Sequence, residues 1–159
     1  MTDETKPSLE QDLKEIRAVH DKWLFSNNGL IIDEMVPNFA DPGYYQFNLN
    51  GHTYANMEEK VHLWHGFHEI GFNLENSHEV GEPMIYAEGD IAYIMAIWST
   101  VITGEEASGI MVPDPEPVVF RVTEVLRRND GKGNPIWKIW HFHASPVAPA
   151  ELVKFPQDA

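Results

Sequence analysis

The chain has 159 residues, with 25 acidic and 11 basic side chains and a formal net charge of −14. This length is typical of one domain. A chain this negative, with no cluster of Lys or Arg, repels the phosphate backbone, so we do not expect nucleic acid as a partner. Because the chain has no cysteine, it can form neither a disulfide nor a thiolate metal site. The polar start and the lack of an apolar run of roughly 20 residues predict a cytoplasmic protein that does not cross a membrane.

The first part of the chain predicts two helices and a strand. Ser8 is typical of a helix N-cap, with Gln11 three residues later, and we expect a helix from Ser8 to Asn27. One buried face of this helix is predicted from residues that recur at three- and four-residue steps: Leu9, Leu13, Ile16, His20 and Trp23. A short helix interrupted by Pro37 follows. The aromatic run between Gly43 and Gly51 then predicts a strand.

A third helix and a series of strands follow. Asn56 to Ile70 predicts a helix with Met57, Val61, Trp64 and His68 on one side. After it, "NLENSHEV" and "PMIYAEG" predict one or two strands, and "DIAYIMAIWSTVITG" predicts a long one. The turn sequence "DGKGNP" separates "PVVFRVTEVLRRN" from "IWKIWHFHAS", which predicts an antiparallel hairpin.

The order of these elements predicts one α+β domain. Helices that precede consecutive antiparallel strands favour a curved antiparallel sheet, with helices packed on its concave face. We expect residues 8–147 to form this domain, residues 1–7 to be flexible and residues 148–159 to form a tail. The acidic, proline-rich segment 105–117 predicts a loop over the mouth of a cavity.

The element order and the closing third of the chain resemble a known family. The order helix, short helix, strand, helix and four strands is similar to the nuclear transport factor 2-like superfamily, and the closing part resembles its SnoaL-like group. The stretches that carry the resemblance are "GDIAY" (Gly89–Tyr93), "FRVTEVLRR" (Phe120–Arg128), the turn at Asp130 and "WKIWHFHAS" (Trp137–Ser145). The last stretch is also similar to the closing strand of the association domain of calmodulin-dependent kinases.

The resemblance implies a cone-shaped domain, usually a homodimer, whose curved sheet wraps a pocket closed by helices. It does not imply one activity, because the superfamily includes isomerases, dehydratases, cyclases, epoxide hydrolases, lyases and binding or assembly domains. In its ketosteroid isomerases a carboxylate on the first strand is the base. The corresponding stretch here, "YYQFNLN", has no Asp or Glu, so a carboxylate-based isomerase is not expected.

The closing strand carries two histidines whose direction the sequence leaves open. Strand alternation places His141 and His143 on one face, and Lys138, Trp140 and Phe142 on the other. Lys138 indicates that its own face is the wetter one, which would turn the histidines toward a pocket. The kinase-domain resemblance implies the reverse, with Trp140 and Phe142 facing the ligand and the histidines facing a second subunit.

The histidines also raise the question of a metal site. His62, His65 and His68 step along the third helix, but each three-residue step turns through about 300°, so the three side chains fan around the helix. No carboxylate motif joins them. We therefore expect no bound metal and no other cofactor.

The helices and the other strands supply the remaining pocket candidates. Arg121 stands between apolar residues and would need an anion or several acceptors if buried. Lys60 and Trp64 share a side of the third helix. The residues expected to line the pocket come from both helices and four strands: His20, Trp23, Phe47, Trp64, Tyr93, Met95, Thr123, Trp140 and Phe142.

Together these features predict a cofactor-independent enzyme that moves protons on a small apolar, aromatic compound in a central pocket, as a lyase, dehydratase or isomerase does. The catalytic candidates are His141, His143, Tyr45, Lys60 and Arg121. The alternative is a non-catalytic dimeric module of the same fold that binds a ligand or assembles other proteins.

Overall fold

The structure is a computed structural model of the chain and describes residues 7–104 and 117–148. The predicted flexible N-terminus, the predicted loop over the cavity and the predicted C-terminal tail lie outside the described residues, apart from the residues at their borders. No helix in the described ranges is long and apolar enough to cross a membrane.

Three helices precede or interrupt the first strands. Helix α1 spans Leu9–Ser26, α2 spans Ile32–Met35 and continues into a 3₁₀ turn over Val36–Asn38, and α3 spans Met57–Glu69. The predicted N-cap of α1 is confirmed, because the Ser8 hydroxyl accepts a hydrogen bond from the Gln11 N–H at 3.2 Å. In α3 the Asn56 side chain accepts from the Glu59 N–H at 2.9 Å in the same way.

Seven strands form one curved sheet in the described part of the chain. Their bounds are β1 Tyr45–Phe47, β2 Thr53–Tyr54, β3 Asn73–Glu79, β4 Met84–Glu88, β5 Ile91–Thr103, β6 Val118–Arg128 and β7 Trp137–Pro146. The strand order is β2-β1-β7-β6-β5-β3, and β4 also pairs with β5. The first half of β5 pairs with β4 and its second half with β3, so β3 and β4 follow each other along one edge.

The sheet confirms the predicted α+β class and the predicted closing hairpin, with one correction to the pairing. β6 and β7 are antiparallel neighbours, as expected. Strand β1, however, runs parallel to β7, so the sheet is mixed rather than wholly antiparallel. The chain between them includes both α3 and the rest of the sheet, and this long crossover permits a parallel pair.

The buried side of α3 differs from the prediction. Met57, Lys60, Trp64 and Phe67 are buried, whereas His68 is exposed and Val61 is half-buried. Met57, Lys60, Trp64 and Phe67 follow steps of three, four and three residues, which form one stripe along a helix. The stripe therefore turns Lys60 into the protein interior, beside Trp64.

A β-bulge at Trp140 decides the direction of the closing histidines. Val125 pairs with His141 and Leu126 pairs with Ile139, so Trp140 is an extra residue without a partner in β6. The predicted alternation through the whole strand is therefore wrong. Ile139 before the bulge and Phe142 after it both point to the buried, concave face.

Trp140 itself packs against the protein at the bulge. Its indole N–H donates to the Asn129 carbonyl at 2.8 Å, and the Arg127 guanidinium lies 4.2 Å from its ring centroid. The ring lies so close to Gly43 that a Cβ there would come within 2.3 Å of it, at a φ of +122°. Only glycine fits that position.

The opposite, outer face of the sheet carries two rows of apolar and aromatic side chains that each cross five strands. One row consists of Tyr86, Tyr93, Val125, His141 and Tyr45. The other consists of Met84, Met95, Thr123, His143 and Phe47. Tyr86 is 51% exposed and Tyr93 is 43% exposed. So large a continuous apolar surface is typical of an interface with another protein.

We expect this outer face to bury itself in a homodimer, because a two-fold contact lets the same apolar rows cover each other. Replacing Tyr93 by Glu places a charge within one row, and should convert a dimer into a monomer at micromolar concentration in sedimentation velocity. Phe25→Glu is the matched control: Phe25 is 59% exposed on α1, and its replacement should leave the dimer intact. A wild-type protein that sediments as a monomer would contradict the expectation.

Candidate functional site

A cavity lies between the concave face of the sheet and the helices α1 and α3. Its volume is about 40 Å³, which is room for about three water-sized spheres. Its wall includes six aromatic side chains: Trp23, Trp64, Phe67, Trp98, Phe120 and Phe142. The polar side chains among its described wall residues are those of Asn27, Asn48, Lys60 and Thr100. Such a wall favours a flat apolar ligand with few polar groups.

Lys60 is the one cationic side chain among the described residues of this wall. Its exposed fraction is 2%. The ammonium nitrogen donates a hydrogen bond to Asn48 Oδ1 at 3.2 Å. It also lies 5.1 Å from the ring centroid of Tyr54 and 5.0 Å from that of Trp64. These contacts are weaker than a buried ion pair with a carboxylate.

The protonation state of Lys60 follows from its burial. In the described part of the chain no carboxylate forms an ion pair with it. Burial penalises the ammonium form and lowers the pKa of Lys60 from 10.5 to about 7. At neutral pH roughly half of the molecules therefore carry an uncharged amine in the cavity.

A chain of hydrogen bonds along β1 holds the acceptor that faces Lys60. The Tyr44 hydroxyl donates to Gln46 Oε1, and Gln46 Nε2 donates to Asn48 Oδ1 at 2.6 Å. Tyr44, Gln46 and Asn48 are all buried, since alternation turns every second residue of this stretch inward. Asn48 Oδ1 thus accepts from both Gln46 and Lys60, which fixes its position at the cavity wall.

A second group of buried ionisable residues lies behind the aromatic wall. His20 on α1 is fully buried, and its Nδ1 lies 3.0 Å from both carboxylate oxygens of Glu124 on β6. Its Nε2 contacts Glu79 on β3. Burial by itself would lower the pKa of His20, but the hydrogen bonds and charges of Glu124 and Glu79 raise it to about 9. At neutral pH an imidazolium therefore links α1 to two strands.

Glu124 is buried on the concave face, where a lone carboxylate would be costly. Burial raises its pKa, and the His20 imidazolium opposes this rise. The His20 ring lies 5.8 Å from the Trp98 ring, measured between centroids, and Trp98 in turn faces the cavity. The ion pair therefore supports the aromatic wall from behind.

The same region contains one group of potential metal ligands. Among the described residues, ligand atoms of His20, Asp21 and Glu79 lie within 4.8 Å of one another. Arg17 already pairs with both carboxylates, at 3.1 Å from Asp21 and 3.6 Å from Glu79. An imidazolium has no free lone pair for a metal. The arrangement is therefore best described as a network of ion pairs.

The structure brings only some of the predicted site residues to the cavity. Trp23, Lys60, Trp64 and Phe142 line it. His20 is buried behind Trp98. The others lie elsewhere: Tyr45, Phe47, Tyr93, Met95, Arg121, Thr123, His141 and His143 are on the outer face, and Trp140 is at the bulge.

Arg121 shows why the placement differs from the expectation. It is exposed, and its guanidinium donates to Ser145 Oγ at 3.0 Å. Val122, Glu124 and Leu126 form the buried side of β6, so the carboxylate on that strand, not the cation, points inward. With its charge in solvent, Arg121 needs no bound anion.

Sequence reasoning missed the inward polar residues of two strands. In β1 it followed the aromatic pair Tyr45 and Phe47, although the polar alternation of Gln46 and Asn48 around them was equally regular. In β6 it selected Arg121 and Thr123 and passed over Glu124, which lies between the buried Val122 and Leu126 positions of the same face. The alternation itself, taken in the opposite phase, was the signal that could have found these residues.

Solved structures similar to this one share its fold. A nuclear transport factor 2-like superfamily protein from Salmonella enterica serovar Typhimurium has a TM-score of 0.69 at 15% identity, over 93% of this chain and 99% of that chain. A ketosteroid isomerase-like protein from Erwinia carotovora atroseptica has a TM-score of 0.66 at 15% identity, over 89% of this chain and 100% of that chain. A protein with a cystatin-like fold from Caulobacter vibrioides has a TM-score of 0.66 at 14% identity, over 86% and 90% of the two chains.

These likenesses show the fold, which is nuclear transport factor 2-like and cystatin-like, as the sequence predicted. No protein-family model matches the chain. No curated protein matches it either. The identities are too low to carry an activity over to this chain.

We expect His20→Gln to lower the free energy of unfolding by about 3–5 kcal/mol at pH 7, because it leaves Glu124 buried without a cation. The raised pKa of His20 means that its stabilising contribution is complete below pH 6.5 and is lost as the pH rises through about 9. Urea denaturation should therefore show a difference between wild type and variant that narrows above pH 9.

Arg17→Gln is the control for this prediction, since the Arg17 side chain is 41% exposed and pairs with Glu79, one of the two carboxylates that contact His20. Its effect should stay within about 1 kcal/mol. A His20→Gln variant as stable as wild type at pH 7, or equally destabilised at every pH, would show that the imidazolium does not hold α1 to the sheet.

Proposed function

We propose that this protein is an enzyme that transfers protons on a small apolar, aromatic compound without a bound cofactor, as lyases, dehydratases and isomerases do. Lys60 is the base in this proposal. The observation that carries it is a buried lysine at the wall of an aromatic cavity, without a carboxylate partner among the described residues.

The free energy of burial supports a chemical role for Lys60. A lysine in an apolar setting costs stability as a cation, so a fold that needed only packing would be served better by Met or Leu at this position. Its pKa of about 7 matches what a general base needs near neutral pH, where both the amine form and the driving force for accepting a proton are adequate. Perturbed lysines in clefts are typical of functional sites.

The wall of the cavity supports the proposed class of substrate. Trp23 and Trp64 lie with their ring centroids 6.0 Å apart, and Trp98 and Phe142 lie 5.6 Å apart. These rings offer flat apolar surfaces. Because the space is about 40 Å³, an aromatic substrate such as benzisoxazole enters only when some of these side chains move aside. The net charge of −14 disfavours an anionic substrate.

The proposal also accounts for the residue type on the first strand. One solved structure of this fold is described as ketosteroid isomerase-like. The present chain has Gln46 and Asn48 at the inward positions of its first strand, where neither side chain is a base. Lys60 on α3 supplies the base from the helix side of the cavity instead.

A non-catalytic dimeric binding module of the same fold is the second candidate. The observation that favours it is the exposed apolar outer face, which suits an assembly role whether or not the cavity performs chemistry. The two candidates differ in whether a reactive apolar compound is chemically converted in the cavity or is only bound there.

Benzisoxazole provides a test, because a base that removes its ring C–H proton breaks the N–O bond and releases a phenolic nitrile with a distinct absorbance. We expect wild-type protein to accelerate this elimination, with a rate that rises with pH around a midpoint of about 7 as Lys60 loses its proton. Lys60→Met should lower the rate by about 10²-fold or more. Stopped-flow absorbance traces at a saturating protein concentration measure both the pH midpoint of the rate and the loss of rate in Lys60→Met.

Two variants separate this result from general effects of substitution. Lys132→Met removes an exposed lysine from the turn before β7 and should leave the rate unchanged. His143→Ala removes an outer-face histidine and should alter thermal stability or dimerisation while any remaining dimer keeps its rate. Elimination by Lys60→Met at the wild-type rate would reject Lys60 as the base and favour the binding module.

A further inference from the structure

We propose that Lys60 also acts as a nucleophile, and that its amine forms a Schiff base with a small neutral aldehyde or ketone in the cavity. The inference rests on the proposed function only in requiring that a small molecule can reach Lys60. It goes further in naming the carbonyl compound as the ligand class and a covalent bond as the mode of binding.

The first support is the set of contacts that Lys60 makes. Its nitrogen has one hydrogen-bond acceptor in the described part of the chain, Asn48 Oδ1 at 3.2 Å. An amine that donates one hydrogen to Asn48 keeps its lone pair for a carbonyl carbon. Arg128 shows the opposite arrangement in the same protein, since Asp12 and Asp90 hold its guanidinium at 2.6 Å and 2.9 Å.

The second support comes from two indole N–H groups. Trp23 and Trp98 both line the cavity, and both are almost fully buried, with exposed fractions of 3% and 2%. Neither indole nitrogen has a hydrogen-bond acceptor among the described residues. Buried donors without acceptors are rare in native proteins. A ligand with an acceptor oxygen would satisfy at least one of them.

A carbonyl compound matches both observations with one functional group. Its carbon is the electrophile for Lys60, and its oxygen is the acceptor for an indole N–H. Its apolar remainder would lie against the aromatic rings. A carboxylate or phosphate ester fits less well, because the described wall offers no cation other than Lys60 itself.

The chemical step needs no oxidant, reductant or metal. The uncharged amine attacks the carbonyl carbon and forms a C–N bond, and the carbonyl oxygen takes up the proton that the nitrogen releases. The resulting carbinolamine loses its hydroxyl group together with the remaining N–H hydrogen as water, and a C=N bond forms. The net change is one amine and one carbonyl compound converted into one imine and one water. The protonated imine would lie over the Trp64 ring, whose π face attracts a cation.

The fraction of reactive amine decides the selectivity for Lys60. With a pKa of about 7, roughly half of Lys60 is uncharged at pH 7. An ordinary lysine with a pKa near 10.4 is uncharged in only about one molecule in 2,500 at that pH. The Lys60 amine should therefore outcompete exposed lysines for a carbonyl compound despite its burial.

Reductive trapping tests the inference on the full-length protein. Acetone and, separately, acetaldehyde are incubated with the protein at pH 7 in the presence of sodium cyanoborohydride, which converts an imine into a stable secondary amine. We expect intact-mass spectrometry to show one adduct per chain and peptide mapping to place it on Lys60. Exposed lysines such as Lys14 and Lys132 should remain unlabelled at that time.

Three variants sharpen the result. Lys60→Met should remove the adduct, whereas Lys132→Met should retain it. Trp98→Phe keeps a ring in the wall but removes one indole N–H, and should slow labelling by about two- to tenfold if that group donates to the carbonyl oxygen. Peptide mapping of the wild-type protein locates the adduct even if Lys60→Met fails to fold.

The outcomes distinguish this inference from the proposed function. Benzisoxazole elimination without any Lys60 adduct would overturn the Schiff base and leave the proton-transfer proposal standing. A Lys60 adduct without elimination would support the Schiff base and count against Lys60 as the base. Labelling spread over exposed lysines, with Lys60 unmodified, would overturn the inference.

Discussion

Buried ionisable groups under the two long helices constrain the whole concave face of the sheet. Glu124 and Lys60 both lie there with almost no exposure to solvent. An isolated charge in such a place is costly, so each must be paired or must give up its charge. The two residues meet this constraint in different ways, and the difference defines the candidate site.

Glu124 is paired because α1 brings His20 to it, with Glu79 on the other side of the ring. The pairing ties α1 to β6 and β3 and places Trp23, three residues after His20, at the cavity wall. Among the described residues, Lys60 contacts an amide oxygen and two aromatic faces, and burial lowers its pKa to about 7. One group therefore holds a helix to the sheet, and the other is the residue that we propose as base and nucleophile.

The helices and the closing hairpin could be predicted from the sequence because local signals determine them. Ser8 and Asn56 cap the helices at the expected places, and the turn between β6 and β7 lies at the predicted glycines. The parallel pairing of β1 with β7 could not be predicted in this way. It depends on contacts between β1, a strand of three residues, and β7, which lies far away in the sequence.

The site was only partly predictable, for reasons that particular residues show. Lys60 and Trp64 were found because their four-residue spacing places them on one side of a helix. His141 and His143 remained ambiguous because a period of two cannot reveal the extra residue at Trp140, and that residue reverses the phase of the strand. The lowered pKa of Lys60 depends on its burial by residues of several other elements, so no local pattern could indicate it.

Titration of Lys60 by NMR tests the central claim most directly. Protein labelled with ¹³C at the lysine ε-carbons is titrated from pH 5 to pH 11, and the Lys60 signal is identified by its loss in Lys60→Arg. We expect a midpoint at about 7 for this signal. A midpoint near 10.5, the ordinary value for lysine, would contradict it, because Lys60 would then be an ammonium ion at neutral pH and could act neither as a base nor as a nucleophile.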